Sequence, residues 1–206
     1  MTTQPGKQGD LHGSAPDNHP TALLLIDVVN DFEFPRGDEL FSQALPVAPN
    51  IANLKKRARA AGIPAVYVND NFGRWQSNFD QLVSHCLKDG VRGRPFVEQL
   101  KPDPERDYFV LKPKHSAFYQ TPLDLLLKHF GAQRLILTGV STNSCVLFTA
   151  SDAYMRDMEL VVPSDCVAAC DAQEQAAALE QLESMLKADI SLSTEIDLNA
   201  SVKKPS

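Results

Sequence analysis

The sequence predicts an α/β fold: a three-layer α-β-α sandwich around a mostly parallel, doubly wound sheet of about six strands. Three observations lead there. Short apolar runs recur along the chain, each too short for a typical helix and each bounded by polar or turn-forming residues. Segments with apolar residues at helical spacing separate these runs. Strands that alternate with helices pair in parallel, and such sheets are covered on both faces. The chain of 206 residues suits one domain of this kind, large enough to hold a core without disulfides or metal.

The elements follow in order. Residues 21–27 (TALLLID) form an apolar run behind Pro20 that ends in a carboxylate, the pattern of a buried strand. Residues 46–61 place Val47, Ile51, Leu54 and Ala58 on one helical face, and Gly62 ends the helix. Residues 65–68 make the second strand, and 69–78 a loop rich in turn formers. A short helix is expected over 79–87. Residues 90–107, with Pro95, Pro102 and Pro104 among charges, read as an irregular excursion. The third strand covers 108–111. Thr121 caps a helix that has Pro122 at its first position and runs to residue 130. The fourth strand is 133–139, followed by a helix over 144–155, a fifth strand over 159–162, a helix over 172–188 and a short sixth strand over 189–192. The expected organisation is a flexible extension (1–20), one domain (21–192) and a C-terminal tail (193–206).

Composition excludes several classes. Hydrophobic residues make up 43% and charged residues 22%, which rules out a wholly disordered, collagen-like or coiled-coil chain. The net charge of -6 supplies no basic excess for a phosphate backbone, so nucleic acid is not an expected partner. No apolar run approaches the ~20 residues of a membrane span, so no membrane partner is expected. Cys86, Cys145, Cys166 and Cys170 are too scattered for a disulfide framework, and the five histidines form no metal-binding pair. The polar segment 1–20 lacks the apolar core of a signal peptide. The expected setting is therefore the cytoplasm, with reduced thiols, no cofactor or metal, a small-molecule partner and a homo-oligomeric assembly.

In a parallel sheet, ligands bind beyond the carboxyl ends of the strands. Asp27, Asp70, Lys112 and the stretch 139–145 occupy those ends. Asp27 closes an apolar strand; it is either a turn carboxylate or a partly buried group able to exchange a proton. Lys112 and Lys114 fall on the same side if the strand continues, so spacing does not choose between them. Cys145 follows the cap-forming Ser141, Thr142 and Asn143 and falls in a first helical turn. Free amides and the helix dipole there are expected to lower the thiol pKa and to offer an oxyanion hole. G-x-G-x-x-G and phosphate-loop motifs are absent, and Gly139-Val140-Ser141 lacks the second glycine of a serine nucleophile elbow. No histidine is placed to serve such a serine. Phe32, Phe72, Trp75 and Phe118 are candidates to line an apolar substrate pocket.

Three segments together resemble the isochorismatase-like cysteine hydrolases. The first runs from Leu24 through Asp27 to Asn30, Asp31 and Phe32. The second is Lys112-Pro113-Lys114-His115-Ser116-Ala117-Phe118, with Thr121 and Leu123 following. The third runs from Gly139 to Val146, with Thr149, Asp152 and Ala153 following. The resemblance implies a triad of Asp27, Lys112 and Cys145, and it selects Lys112 because the family's lysine opens its motif. It also implies a cis peptide between Val140 and Ser141, an oxyanion hole from the amides of Ser141 and Cys145, and hydrolysis of a small amide, carbamoyl or ureido C–N bond through an acyl thioester. The alternatives are an isochorismatase-type vinyl-ether hydrolase and a non-catalytic interaction module. Two departures refine this expectation. The stretch from Asp70 to Trp75 lacks the histidines of the metal site found in nicotinamidases, and Cys145 stands where true isochorismatases have no nucleophilic cysteine.

Overall fold

The computed structural model of the chain describes residues 17–73 and 78–201. Its centre is an all-parallel sheet built from β1 (Thr21–Ile26), β2 (Ala65–Asp70), β3 (Tyr108–Lys112), β4 (Arg134–Val140), β5 (Glu159–Val161) and β6 (Val167–Ala168). The order is β3-β2-β1-β4-β5, with β6 paired to the far end of β4. The winding direction reverses between β1 and β4, and that switch point opens the crevice in which such sheets bind ligands.

β1 shows why the sheet is sandwiched. All its residues are buried, and they alternate between two cores. Leu23 and Leu25 face α1 (Gly37–Ala44), α2 (Ala48–Ala60), α3 (Phe79–Cys86) and α4 (Arg94–Gln99); their partners there include Leu40, Ile51, Leu54, Phe79 and Phe96. Ala22, Leu24 and Ile26 face α5 (Leu123–Phe130), α6 (Leu147–Tyr154) and α7 (Ala172–Ser184), against Leu123, Leu127, Phe130, Ala150 and Leu182. The period of two along a strand directs side chains to both layers of helices. At the mouth of the switch point Gly139 pairs with Ile26. A Cβ at Gly139 would lie 2.0 Å from the Ile26 carbonyl oxygen, and its φ of 111° lies outside the range open to other residues, so only glycine fits.

The structure departs from the sequence expectation in four places. Residues 90–107 contain α4, where Pro95 lies in the first turn and so begins a helix instead of breaking one. The helix expected over 46–61 is preceded by α1 and a 3₁₀ turn, Leu45–Val47. The sixth strand is not 189–192, where Asp189 makes a single bridge to Val161, but β6. The expected tail is partly packed: Ile196 and Leu198 are buried, and Arg57 holds the Ser193 and Ile196 carbonyls at 2.6 and 3.0 Å. At the other end the backbone of His19 donates to the Phe130 carbonyl at 2.9 Å. The rest of the expected extension, residues 1–16, and residues 202–206 lie outside the described residues. Among the described residues no helix is long and apolar enough to cross a membrane.

Candidate active site

Asp27, Lys112 and Cys145 come from three different strand ends and meet at the switch point. Asp27 is the first residue past β1, with a φ of 50°, a left-handed geometry that aspartate tolerates better than most residues. Its backbone N–H donates to the Val68 carbonyl (2.8 Å), and its Oδ1 accepts from the Asp70 amide (2.7 Å). The carboxylate is thus fixed by β2 on one side. Its other oxygen, Oδ2, lies 2.9 Å from the Lys112 Nζ. Lys112 closes β3 and is fully buried, while Lys114 is exposed. The ammonium also donates to the Cys145 sulfur at 3.3 Å and lies 3.8 Å from an oxygen of Asp70.

Cys145 sits in a π-type turn, Thr142–Val146, that leads into α6. The amides of Ser144 and Val146 both converge on the Ser141 carbonyl at 3.2 Å. The peptide between Val140 and Ser141 is cis. Side chains from α7 hold this turn from outside. The Thr142 hydroxyl donates to Gln175 Oε1 (2.6 Å), and Gln175 Nε2 donates to the Val167 carbonyl of β6 (3.2 Å). Asn143 reaches Glu174 at 3.1 Å. The segment after Lys112 is fastened by α6: Ser116 donates to Asp152 while accepting from the Phe118 amide, and Thr149 accepts from the Ala117 amide at 3.0 Å.

Burial sets the protonation of the cluster. It pushes the Asp27 carboxyl upward, and the attraction of Lys112 only partly offsets it. Burial works against charge on Lys112 as well, but Asp27 and Cys145 outweigh it and hold its pKa above the ordinary lysine value. The Cys145 thiol is pushed up to about 12 by burial and by the neighbouring Asp27 charge, against the pull of Lys112. This corrects the expectation of a thiol acidified by its helical turn: desolvation and a carboxylate in contact outweigh a partial dipole charge. Burial and the neighbouring Asp27 carboxylate thus both favour the thiol of Cys145 over its thiolate.

Two of the candidate pocket aromatics are buried. Phe32 is wholly buried in the core, edge-on to Phe41 and Phe96, because its positive φ turns the chain inward after Asp31. Phe118 is also buried, under the Arg156 guanidinium 4.4 Å from its ring. Phe72 is exposed, and Trp75 lies outside the described residues. Asp70 offers no metal cradle, since its carboxylate faces the Lys112 ammonium and accepts from the Phe72 amide at 2.6 Å. Among the described residues no cluster of three or more histidine, cysteine or acidic side chains is arranged to hold a metal ion. His115 also reaches the sulfur, without a role in the sequence expectation. Its Nδ1 lies 3.8 Å from the Cys145 sulfur and 3.2 Å from the Ser144 hydroxyl. Its signal in the sequence is its place three residues after Lys112 in the motif.

The model of the isochorismatase domain matches residues 21–194. The chain belongs to the isochorismatase family. An isochorismatase-family protein of Bacillus subtilis, the uncharacterised YaaI, is 38% identical over 175 residues, covering 85% of this chain and 95% of YaaI. The ureidoacrylate amidohydrolase RutB of Methylorubrum extorquens is 30% identical over 175 residues, covering 72% of this chain and 70% of RutB. Among solved structures, the N-carbamoylsarcosine amidase of Thermoplasma acidophilum superposes with a TM-score of 0.66 at 28% identity, covering 87% of this chain and 99% of that one. The α/β sandwich is thus the isochorismatase-family fold, and the chain is a hydrolase of that family.

Proposed function

We propose that this isochorismatase-family hydrolase cleaves the C–N bond of a small amide, carbamoyl or ureido compound through an acyl thioester on Cys145. One observation carries the proposal: a single buried ammonium, Lys112, lies within 2.9 Å of the Asp27 carboxylate and 3.3 Å of the Cys145 sulfur. That arrangement joins a base, a cation and a nucleophile. The relatives named for ureidoacrylate and N-carbamoylsarcosine hydrolysis support the choice of bond.

The geometry supports the following steps. As the sulfur attacks the carbonyl carbon, Asp27 takes the thiol proton, and Lys112 stabilises the negative charge that would otherwise grow on sulfur unaided. The carbonyl oxygen becomes an oxyanion between the amides of Ser141 and Cys145, where a lost donor typically costs about 3–4 kcal/mol. The C–N bond then breaks and Asp27 returns its proton to the leaving nitrogen. Water, giving a proton to the same carboxylate, attacks the thioester; the C–S bond breaks and the sulfur recovers a proton from Asp27. Neither half requires a cofactor. We place the enzyme in the cytoplasm as a homo-oligomer; the exposed Phe109, Leu125, Phe148 and Met155 support association, and sedimentation tests it.

The test is ammonia release across a panel of small amides, N-carbamoyl amino acids and ureides, with Cys145→Ala alongside the native protein. Turnover of at least one compound, lost in Cys145→Ala while the thermal transition is kept, is expected. Native turnover in Cys145→Ala would end the cysteine mechanism.

A further inference from the structure

We infer that His115 contacts the substrate and reads a hydrogen-bonding group next to the scissile carbonyl, so that the site favours carbamoyl and ureido compounds over plain carboxamides. The inference rests on the hydrolase reading above and adds a specificity residue to it.

The geometry around the sulfur leaves His115 in the substrate's way. Lys112 and Asp27 flank Cys145 from inside the protein, where one is fully buried and the other 6% exposed. His115 is exposed and approaches the same sulfur to 3.8 Å. A carbonyl carbon poised for attack sits roughly 3–3.5 Å from its nucleophile. A compound entering from solvent to that distance therefore meets the imidazole.

The imidazole is also held in place. Ser144 contacts Nδ1 at 3.2 Å, and the ring lies against Phe148, with centroids 5.5 Å apart and planes tilted by 31°. Phe148 is itself about half exposed, so the ring is braced on an outer face and not sunk into the core. Among the described residues the imidazole has no charged partner, unlike His85, which pairs with Asp31 at 3.1 Å. In the tautomer that donates Nδ1–H to the Ser144 hydroxyl, Nε2 is the acceptor that a substrate N–H requires.

The chemistry then divides two kinds of substrate. A carbamoyl or ureido carbonyl carries nitrogen on both sides, and the nitrogen not being expelled needs a polar neighbour once water is excluded. A carboxamide presents a methylene there. Leaving a polar site unpaired is what discriminates such analogues. N-carbamoylglycine and succinamic acid differ in this single exchange, an N–H for a CH₂, and share both the terminal carboxamide and the carboxylate.

The experiment measures kcat/KM for both compounds with the native protein, His115→Phe and His115→Gln. Phenylalanine keeps the contact with Phe148 and removes both nitrogens; glutamine restores a hydrogen-bond acceptor near the Nε2 position. In His115→Phe the loss on N-carbamoylglycine should exceed the loss on succinamic acid by about tenfold, the worth of one unmade hydrogen bond, and His115→Gln should recover part of the difference. Equal losses on the two compounds would overturn the inference, because a merely structural imidazole would affect both alike. A second readout covers the case in which neither compound is turned over, a failure of the hydrolase reading with these probes. N-carbamoylglycine should slow iodoacetamide labelling of Cys145 in the native protein and do so far less in His115→Phe, each rate being compared with its own unprotected control. No protection in the native protein, or equal protection in both, would also overturn it.

Discussion

Replacing the two charged neighbours of Cys145 should move its reactivity in opposite directions. Lys112→Met removes a cation 3.3 Å from the sulfur but keeps much of the apolar stem. At that distance and an effective dielectric constant of about 20, a unit charge pair is worth about 5 kcal/mol. That figure is an upper bound, because Lys112 is also the partner of Asp27 2.9 Å away. Wherever Asp27 stays ionised, the thiolate keeps its anionic neighbour and loses its cation, a loss of more than tenfold in thiolate at a fixed pH. Asp27→Asn removes the carboxylate that raises the thiol and leaves the ammonium that lowers it. Iodoacetamide labelling of Cys145, followed across pH, reads both. The native thiol, pushed up to about 12, should label slowly at neutral pH and faster as pH rises. Lys112→Met should label more slowly at each pH and Asp27→Asn faster, although both lose hydrolysis. Changes of the same sign, or an unchanged profile in Lys112→Met, would refute the electrostatic account of the triad.

Three further outcomes follow from the same contacts. The acidic limb of kcat/KM should lie above the ordinary aspartate value of 3.8, because burial raises the Asp27 pKa and activity is lost as pH falls through that raised value; a limb at or below 3.8 would remove Asp27 as the base. Gln175→Leu, which cuts the link from Thr142 to Val167, should lower kcat by about tenfold with little change in KM, as expected of a residue that holds oxyanion donors in place; steady-state kinetics on any turned-over compound decide it. Gly139→Ala should lower the thermal transition by about 6 °C or more, since at least ~3 kcal/mol is forfeited where the Cβ meets the Ile26 carbonyl; calorimetry showing a native transition would contradict the close packing of β1 on β4.

The sheet was legible in the sequence where a strand is buried on both faces. β1 and β4 are wholly buried strands that carry the apolar runs ALLLI and LIL, and a run such as LLLI at a parallel-sheet centre has few other readings. The strand ends then pointed to Asp27, Lys112 and the 139–145 turn, because chemistry in such sheets gathers there. Weaker elements were not legible. β6 is only two residues, recognisable through its pairing with Gly139 and Val140, which is a tertiary fact. α4 begins with Arg94 and Pro95, and proline was weighed as a breaker where it is a starter. Phe32 resembled a pocket residue because it follows a polar loop, yet its direction depends on a backbone dihedral that composition does not report. The raised thiol pKa is hidden for a related reason: the helical turn is visible in sequence, whereas the burial of the sulfur and the influence of the Asp27 charge are not. Gln175 and His115 have no local signal because they reach the site across space, Gln175 from a helix 33 residues beyond Thr142 and His115 from the loop after β3.

The central claim is a covalent thioester on Cys145, and mass spectrometry of the protein quenched in acid during turnover tests it most directly. The peptide containing Cys145 should carry the acyl or carbamoyl group of the substrate, the adduct should disappear when substrate is exhausted, and Cys145→Ala should show neither adduct nor turnover. Turnover without any adduct, persisting in Cys145→Ala, would contradict the account.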